Sequence, residues 1–250
     1  MIKTGIKHTD IMFLDIETVP IAKSIYDMPL VDVAIAWDAI HASRYNEEKV
    51  TDKDGVRPMT NNESFLKYAA LYPEFGQIIC ISLGGFISET DFYVQAYYAN
   101  PDERSLLQTV SNQLTKSSAT KKFICGHNIK GFDLPFMIRR SVVTHSPLNT
   151  NFELYGKKPW EIVTFLDTKE MWNAGAFNLG SCSLQSICAV LGLDNPKEDM
   201  TGSDVMAAYQ NGFPQKIGKY CNGDVIQTAF AYCMMTRGNV DGLQVVGNKF

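Results

Sequence analysis

IMFLDIETVP, at residues 11–20, is the stretch that decides the fold class of this chain. The apolar run from Ile11 to Ile16 predicts a buried strand, and Pro20 ends it because proline cannot donate to a strand ladder. Alternate residues of a strand point to the same face, so Asp15 and Glu17 should project together. Adjacent carboxylates repel each other there, and a hard cation such as Mg²⁺ or Mn²⁺ would offset the repulsion. The alternative is that both acids only mark the exit of the strand into solvent.

The rest of the chain predicts a mixed α/β sheet built around this strand. Further strands are predicted at residues 77–87, 91–99, 122–125 and 163–166, the first two as a hairpin. Helices are predicted to start near Pro101 and to cover residues 131–143, 182–191, 203–211 and 214–237. We predict a single domain over residues 1–250 with a helical and loop insertion at about residues 21–75, in which helical patches flank a polar stretch. That polar stretch, residues 46–62, is expected to be mobile.

Composition limits the classes of protein to which the chain can belong. With 250 residues, of which 45% are hydrophobic, it can fill a core without disulfides. A net charge of −4 argues against a protein that coats duplex DNA, because such proteins carry a basic face. Six cysteines without a CxxC pair, mostly in apolar stretches, predict buried free thiols in a reducing compartment. No stretch is apolar enough to predict a membrane span, so we expect a cytoplasmic protein.

A second motif, GHNIKGFDLP at residues 126–135, follows a predicted strand and opens a predicted helix. Ligands commonly bind at such junctions in α/β proteins. Asp133 should lie in the first helical turn, beside the loop that carries Asn128. Taken alone, Asp133 would be interpreted as a capping residue.

The third motif, YCNGD at residues 220–224, lies within the last predicted helix. Tyr220 and Asp224 are four residues apart and therefore share a helix face. A YxxxD pair is a weak signal by itself in a chain with 11 tyrosines. Gly223 adds to it, because glycine inside a helix costs about 1 kcal/mol relative to alanine, which suggests a close approach to the backbone.

The order and spacing of the three motifs resemble the DEDD exonuclease superfamily, and in particular its tyrosine-bearing (DEDDy) branch. FLDIETVP, GHNIKGFDLPFMIRR and YCNGDVIQT are similar to the three motifs of the exonuclease domain of family B DNA polymerases. The chain most resembles stand-alone predicted 3′→5′ exonucleases of the polymerase-B-like type, over about residues 11–237. The sister branch has a histidine base five residues before its final aspartate. This chain has Lys219 at that position, which leaves Tyr220 as the candidate.

The resemblance implies a ribonuclease H-like fold, with a five-stranded mixed sheet that has one antiparallel strand and is flanked by helices. It implies two divalent cations, Mg²⁺ or Mn²⁺, about 3.5–4 Å apart. The implied metal ligands are Asp15, Glu17, Asp133 and Asp224. Tyr220 and Glu17 would be the catalytic residues, and Tyr220 would orient the attacking water or accept its proton. The terminal nucleotide would contact Thr18, Asn128 and Phe132.

The implied activity is hydrolysis of phosphodiester bonds at the 3′ end of single-stranded nucleic acid, with DNA favoured and nucleoside 5′-monophosphates released. An exoribonuclease that trims RNA with the same site stays open, because that choice depends on contacts to the 2′-hydroxyl. A second open alternative is a non-catalytic module of this fold that binds nucleic acid or a protein. The expected partner is a single-stranded 3′ end, and no membrane is expected.

Other polar residues are weaker candidates. Asp167 is expected to cap a helix, and His127 is expected to be structural. Several basic side chains could line a path for the strand, although scattered lysines are usually only solvated. They are Lys121, Lys122, Lys130, Arg139, Arg140, Lys157 and Lys158.

Overall fold

β1 (Ile11–Pro20) is an inner strand of a mixed sheet that has six strands among the described residues. The computed structural model describes residues 1–149, 152, 154–158, 161–176, 182–194 and 200–249. The other strands are β2 (Lys49–Asp52), β3 (Gly55–Pro58), β4 (Gly76–Phe86), β5 (Asp91–Tyr98), β6 (Phe123–Gly126), β7 (Phe165–Asp167) and β8 (Gln244–Lys249). The order in the large sheet is β7-β6-β1-β4-β5-β8, while β2 and β3 form a separate hairpin. Phe13, Leu14 and Ile16 are all buried, so both faces of β1 are covered, which explains its continuous apolar run.

The sheet combines parallel and antiparallel pairs, as predicted. β6 is parallel to β1 and to β7, β5 is antiparallel to β4, and β8 is parallel to β5. The predicted count of five strands is wrong, because β8 adds a sixth at the edge of the sheet. Its sequence, QVVGNK, has two adjacent valines and a glycine, so it lacks the alternating pattern of a strand. Its partner β5 lies far earlier in the sequence, which local patterns cannot reveal.

The helices agree closely with the predicted positions. Their bounds are α1 (Val31–Arg44), α2 (Asn61–Tyr68), α3 (Glu103–Ser117), α4 (Asp133–Val143), α5 (Thr168–Asn173), α6 (Leu184–Val190), α7 (Val205–Gln210) and α8 (Pro214–Arg237). α8 covers the predicted residues: Pro214 lies in its first turn, and Gly238, with a φ of 83°, caps its C-terminal end. None of the helices in the described ranges is both long and apolar enough to cross a membrane.

The chain divides into two compact units. The sheet unit comprises Met1–Glu17 and Ile79–Phe250, and the inserted unit comprises Thr18–Ile78. The interval predicted as an insertion falls within the inserted unit, and the organisation of the chain as a single domain stays a prediction.

The core of the sheet unit lies between α8 and the sheet. Phe13 of β1 makes edge-to-face contacts with Phe86, Phe92 and Tyr232, which come from β4, β5 and α8. Burying each of these side chains contributes about 1.5–3 kcal/mol. α8 also approaches β5 closely, because a Cβ on Gly218 would overlap the Tyr98 hydroxyl. This packing fixes the helix that carries the third motif against the sheet that carries the first.

The inserted unit has its own core around Trp37, which packs against Phe65 and Phe75. The Trp37 indole N–H donates to the Ser64 hydroxyl at 3.2 Å. The polar stretch at residues 46–62, predicted as a mobile insertion, contains the antiparallel β2–β3 hairpin. Arg57 stabilises that hairpin through ion pairs with Asp52 and Glu63. Polar strands of four residues lack the apolar alternation on which the prediction depends.

Candidate metal centre and active site

β1 brings the first two predicted metal ligands together. One carboxylate oxygen of Asp15, one of Glu17 and the sulfur of Cys221 all lie within 4.8 Å of one another. The alternating direction of strand side chains puts both acids on one face, as the DxE spacing predicted. Glu17 is buried and Asp15 is half-buried, so the pair does not simply enter solvent at a strand exit.

Asp133 joins the same part of β1 from α4. Its Oδ1 accepts a hydrogen bond of 3.2 Å from the backbone N–H of Ile16, the residue between Asp15 and Glu17. Asp133 is the first residue of α4, and the capping position belongs to Phe132, so Asp133 is not the helix cap that it resembles when its motif is taken alone. Burial raises the pKa of the Asp133 carboxyl to about 8, with further contributions from the charges of Asp167 and Asp224. An ionised Asp133 is therefore costly in the metal-free protein.

α8 supplies Tyr220 and Asp224, one turn apart. Asp224 is buried, and Tyr220 is partly exposed. Burial raises the pKa of the Tyr220 hydroxyl far above its ordinary value, and the charges of Asp224, Glu17 and Asp15 raise it further. The phenol is therefore within electrostatic reach of three of the predicted ligands, and it keeps its proton at neutral pH.

A hydrogen bond and electrostatic interactions connect the four predicted metal ligands and Tyr220, which come from β1, α4 and α8. We call Asp15, Glu17, Asp133 and Asp224 the carboxylate cluster. Its donors are carboxylate oxygens, the ligands that Mg²⁺ and Mn²⁺ prefer. The raised pKa of Asp133 is the effect that like charges and burial produce, and a bound cation would reverse it. The residues therefore fit a divalent metal centre.

Cys221 is a site residue that the sequence analysis missed. Its Sγ lies 3.4 Å from the backbone oxygen of Asp15 and 3.5 Å from Asp15 Oδ2, and its thiol is the donor. Burial raises the pKa of the Cys221 thiol well above its ordinary value, with a hydrogen bond to Cys80 and the charges of Asp15 and Glu17 adding to the shift. The sequence spacing could have indicated that Cys221 lies at the site, because it is three residues before Asp224 and therefore near it on the surface of α8.

The structure places the three predicted substrate contacts in different settings. Asn128 has a φ of 60°, and its side-chain oxygen accepts a hydrogen bond of 3.1 Å from Lys169. Phe132 directly precedes the cluster residue Asp133 in the sequence. The centroid of its ring lies 5.3 Å from that of the Phe136 ring. Thr18 belongs to the inserted unit, where its hydroxyl donates to the Ala70 carbonyl at 2.7 Å. Contact of these three residues with a nucleotide stays a prediction.

Asp167 caps α5, as predicted, by accepting from the backbone N–H of Lys169 at 2.9 Å. It also accepts from the backbone N–H groups of Asn128 and Lys130 at 2.9 and 3.2 Å. One carboxylate therefore holds the second-motif loop against the start of α5. The His127 ring bonds to the Thr168 hydroxyl at 3.0 Å, which suits its predicted structural role.

Several of the basic residues proposed for a strand path have other partners. Lys121 donates to the backbone oxygens of Thr9 and Phe86. Lys130 forms an ion pair with Glu170 at 2.8 Å, and Arg140 forms one with Glu103 at 2.6 Å. These contacts give each of the three cations a structural role within the sheet unit.

The fold and the site define a class, namely mixed α/β-sheet proteins of ribonuclease H-like type with a carboxylate cluster beside an inner strand. The family described as "Predicted 3'-5' exonuclease related to the exonuclease domain of PolB" matches residues 63–247. The chain belongs to this family, and the resemblance seen in its motifs is confirmed. The matched residues include Asp133, Tyr220 and Asp224, whereas the first motif precedes them.

Two similar proteins are DNA polymerases. A putative DNA polymerase 060R of Frog virus 3 (isolate Goorha) is 24% identical over 162 residues, which is 56% of this chain and 15% of the polymerase. The family B DNA polymerase from the hyperthermophilic archaeon Pyrobaculum calidifontis is similar in structure, with a TM-score of 0.53 and 14% identity. That likeness covers 90% of this chain and 24% of the archaeal polymerase, and it shows the fold.

Proposed function

We propose that this protein is a metal-dependent 3′→5′ exonuclease that acts on single-stranded nucleic acid, with DNA favoured, and releases nucleoside 5′-monophosphates. The observation that carries the proposal is the convergence of Asp15, Glu17, Asp133 and Asp224 with the Tyr220 hydroxyl. These five residues come from three separate elements of the sheet unit. Membership in a family of predicted 3′-5′ exonucleases supports the proposed reaction and its polarity.

The carboxylate cluster would hold two divalent cations, Mg²⁺ or Mn²⁺. When bound, such a pair activates a water and stabilises the charge that develops on the attacking and leaving oxygens of the phosphodiester. The ionised form of Asp133 would gain from binding, because burial raises the pKa of its carboxyl to about 8 in the metal-free protein.

Tyr220 would orient the attacking water through its hydroxyl. In the metal-free protein, burial and the neighbouring carboxylates raise the pKa of this phenol, so its hydroxyl is protonated and can hydrogen-bond to a water. Glu17 would serve both as a ligand and as a hydrogen-bond acceptor for the same water. The terminal nucleotide would be held by Thr18 and Asn128 through hydrogen bonds and by Phe132 through its ring.

Degradation of labelled oligonucleotides tests the polarity and the substrate. A single-stranded DNA labelled at its 5′ end should give a ladder that shortens one nucleotide at a time with Mg²⁺ or Mn²⁺, and should stay intact in chelator. A covalently closed single-stranded circle of the same sequence is the matched control, and it should survive. Cutting of the circle would show an endonuclease and refute the proposal.

The same assay with RNA of matched sequence separates the two nucleic acids. Faster loss of the RNA would replace DNA by RNA as the favoured substrate and leave the reaction unchanged. A protein that binds Mn²⁺ and the DNA but leaves both strands intact would be a binding module, which refutes catalysis.

A further inference from the structure

Cys221 lies within the proposed metal centre although it is neither a carboxylate nor the tyrosine of the motif. Its side chain is fully buried, and its sulfur lies within 4.8 Å of a carboxylate oxygen of Asp15 and of Glu17. The thiol donates toward Asp15 Oδ2 at 3.5 Å and toward the Asp15 backbone oxygen at 3.4 Å. A thiol is a weak hydrogen-bond donor, and this one spans the gap between α8 and β1 at the level of the proposed ligands.

We propose that Cys221 is a positioning residue whose thiol holds the Asp15 carboxylate in the orientation that binds a divalent cation. The inference rests on the proposed function, since Asp15 is one of the four ligands assigned there. Asp15 is half-buried within β1, and the thiol restrains one of its carboxylate oxygens. A donor on that oxygen fixes the rotamer before the cation arrives and lowers the entropy lost on binding.

The neighbours of Cys221 support a donor role. Cys80 on β4 lies in hydrogen-bonding contact with Cys221 and is itself fully buried. The oxygens of Asp15 lie 3.4 and 3.5 Å from the Cys221 sulfur, within the range of a thiol hydrogen bond. A thiol can donate to Asp15, whereas a direct metal ligand would have to be the thiolate.

Mn²⁺ binding measured by calorimetry on the full chain, in reductant, tests this role without depending on turnover. Cys221→Ala removes the donor, and we expect the Mn²⁺ Kd to rise about 10-fold, the range for loss of a group that orients a ligand. Cys221→Ser keeps a donor and should return the Kd to within about threefold of the original value. Cys233→Ala is the matched control, because Cys233 is another buried thiol of α8 that packs in the core with Tyr232. It should leave the Kd unchanged.

Three results would overturn the proposal. An unchanged Kd in Cys221→Ala would show that the thiol does not hold Asp15. A Kd in Cys221→Ser as high as in Cys221→Ala would show that the thiol only fills space. A preference for Cd²⁺ over Mn²⁺ that Cys221→Ser abolishes would show a direct sulfur ligand instead. If Cys221→Ala loses its thermal transition, Cys221→Val takes its place, because valine fills the space without a donor.

The same experiments distinguish failure of the proposed exonuclease function from failure of the proposed role of Cys221. A wild-type protein that cuts DNA, combined with an unchanged Kd in Cys221→Ala, refutes only the role of Cys221. A wild-type protein that binds Mn²⁺ and responds to Cys221→Ala, but never cuts, refutes only the exonuclease. Absence of Mn²⁺ binding in the wild-type protein refutes both.

Discussion

The Glu103–Arg140 pair and the carboxylate cluster both bury acids in the described part of the sheet unit, but their charges are balanced differently. Glu103 on α3 accepts hydrogen bonds of 2.6–3.1 Å from the guanidinium of Arg140 on α4. Both side chains are more than 90% buried. In the cluster, burial and the charges of Asp167 and Asp224 raise the pKa of Asp133 to about 8.

This difference separates a structural acid from an acid suited to bind a ligand. The Glu103 carboxylate meets a guanidinium in two-pronged geometry, so its charge is already compensated inside the protein. The cluster gathers acids from three elements beside one strand, which raises the free energy of the metal-free protein, and a bound cation would lower it again. Mutations in the two regions should therefore affect different properties.

Asp15→Asn should have the largest effect on turnover. The amide keeps the shape of the side chain but removes a negative charge from the proposed metal centre, so we expect kcat to fall by about 10³-fold or more. Stability in chelator should be equal or higher, because repulsion within the cluster is reduced. Timed cleavage of labelled single-stranded DNA with Mg²⁺ and thermal unfolding in chelator measure the two effects. Near-native cleavage would refute the assignment of Asp15 as a ligand.

Tyr220→Phe should have the next largest effect, since it removes only the hydroxyl. If that group orients the water, turnover should fall by about 10²–10⁴-fold while Mn²⁺ affinity is almost unchanged. Tyr232→Phe is the matched control, because it removes another hydroxyl from α8, one that bonds to Thr4 at 3.1 Å outside the cluster. A Tyr220→Phe enzyme with full turnover and a lowered melting temperature would make Tyr220 a structural residue.

Much of this site could be predicted because its residues occupy fixed positions on regular elements. Asp15 and Glu17 are two residues apart on a strand, and Tyr220 and Asp224 are one helical turn apart. Spacing alone therefore predicts that each pair shares a face. The fold class followed from the same periodicities. That α4 and α8 both approach β1 near Asp15 is a long-range property, which was predicted from the resemblance of the three motifs.

What could not be predicted depends on contacts between distant parts of the chain. β8 pairs with β5 over a large separation in sequence, and its own pattern is weak. The proposed role of Cys221 depends on the 3.5 Å distance between its sulfur and Asp15 Oδ2, although the two residues lie 206 positions apart in the sequence. The close approach inferred at Gly223 stays a prediction, whereas Gly218, which the sequence analysis did not single out, has the Tyr98 hydroxyl against it. The residue types at these positions do not indicate which distant residue each one contacts.

Glu103→Gln tests the structural member of the comparison. Loss of the carboxylate leaves the Arg140 guanidinium buried without its negative partner, so the free energy of unfolding should fall by about 3–5 kcal/mol. Turnover per folded molecule should stay within about threefold of the original value. Urea unfolding and cleavage assays below the unfolding transition measure the two quantities. A protein that kept its stability but lost cleavage would reverse the roles assigned to the two regions.

Asp133→Asn should change stability by less than Glu103→Gln, and the size of its effect in the metal-free protein depends on pH. In the metal-free protein the pKa of Asp133 is raised from its usual value near 4 to about 8. The stability that this neutral carboxyl contributes is therefore fully present below pH 4 and is lost as the pH rises toward 8. Asparagine is neutral throughout and can still accept from Ile16, so the variant should equal the wild-type protein at pH 4. Between pH 5 and pH 8 it should become more stable, by about 1 kcal/mol or more at pH 7, since one pKa unit corresponds to about 1.4 kcal/mol. Denaturant unfolding in chelator across this range measures the difference, and saturating Mn²⁺ should reverse its sign at pH 7. Equal stability of the two proteins at every pH in chelator would show that Asp133 is already compensated within the chain, as Glu103 is by Arg140.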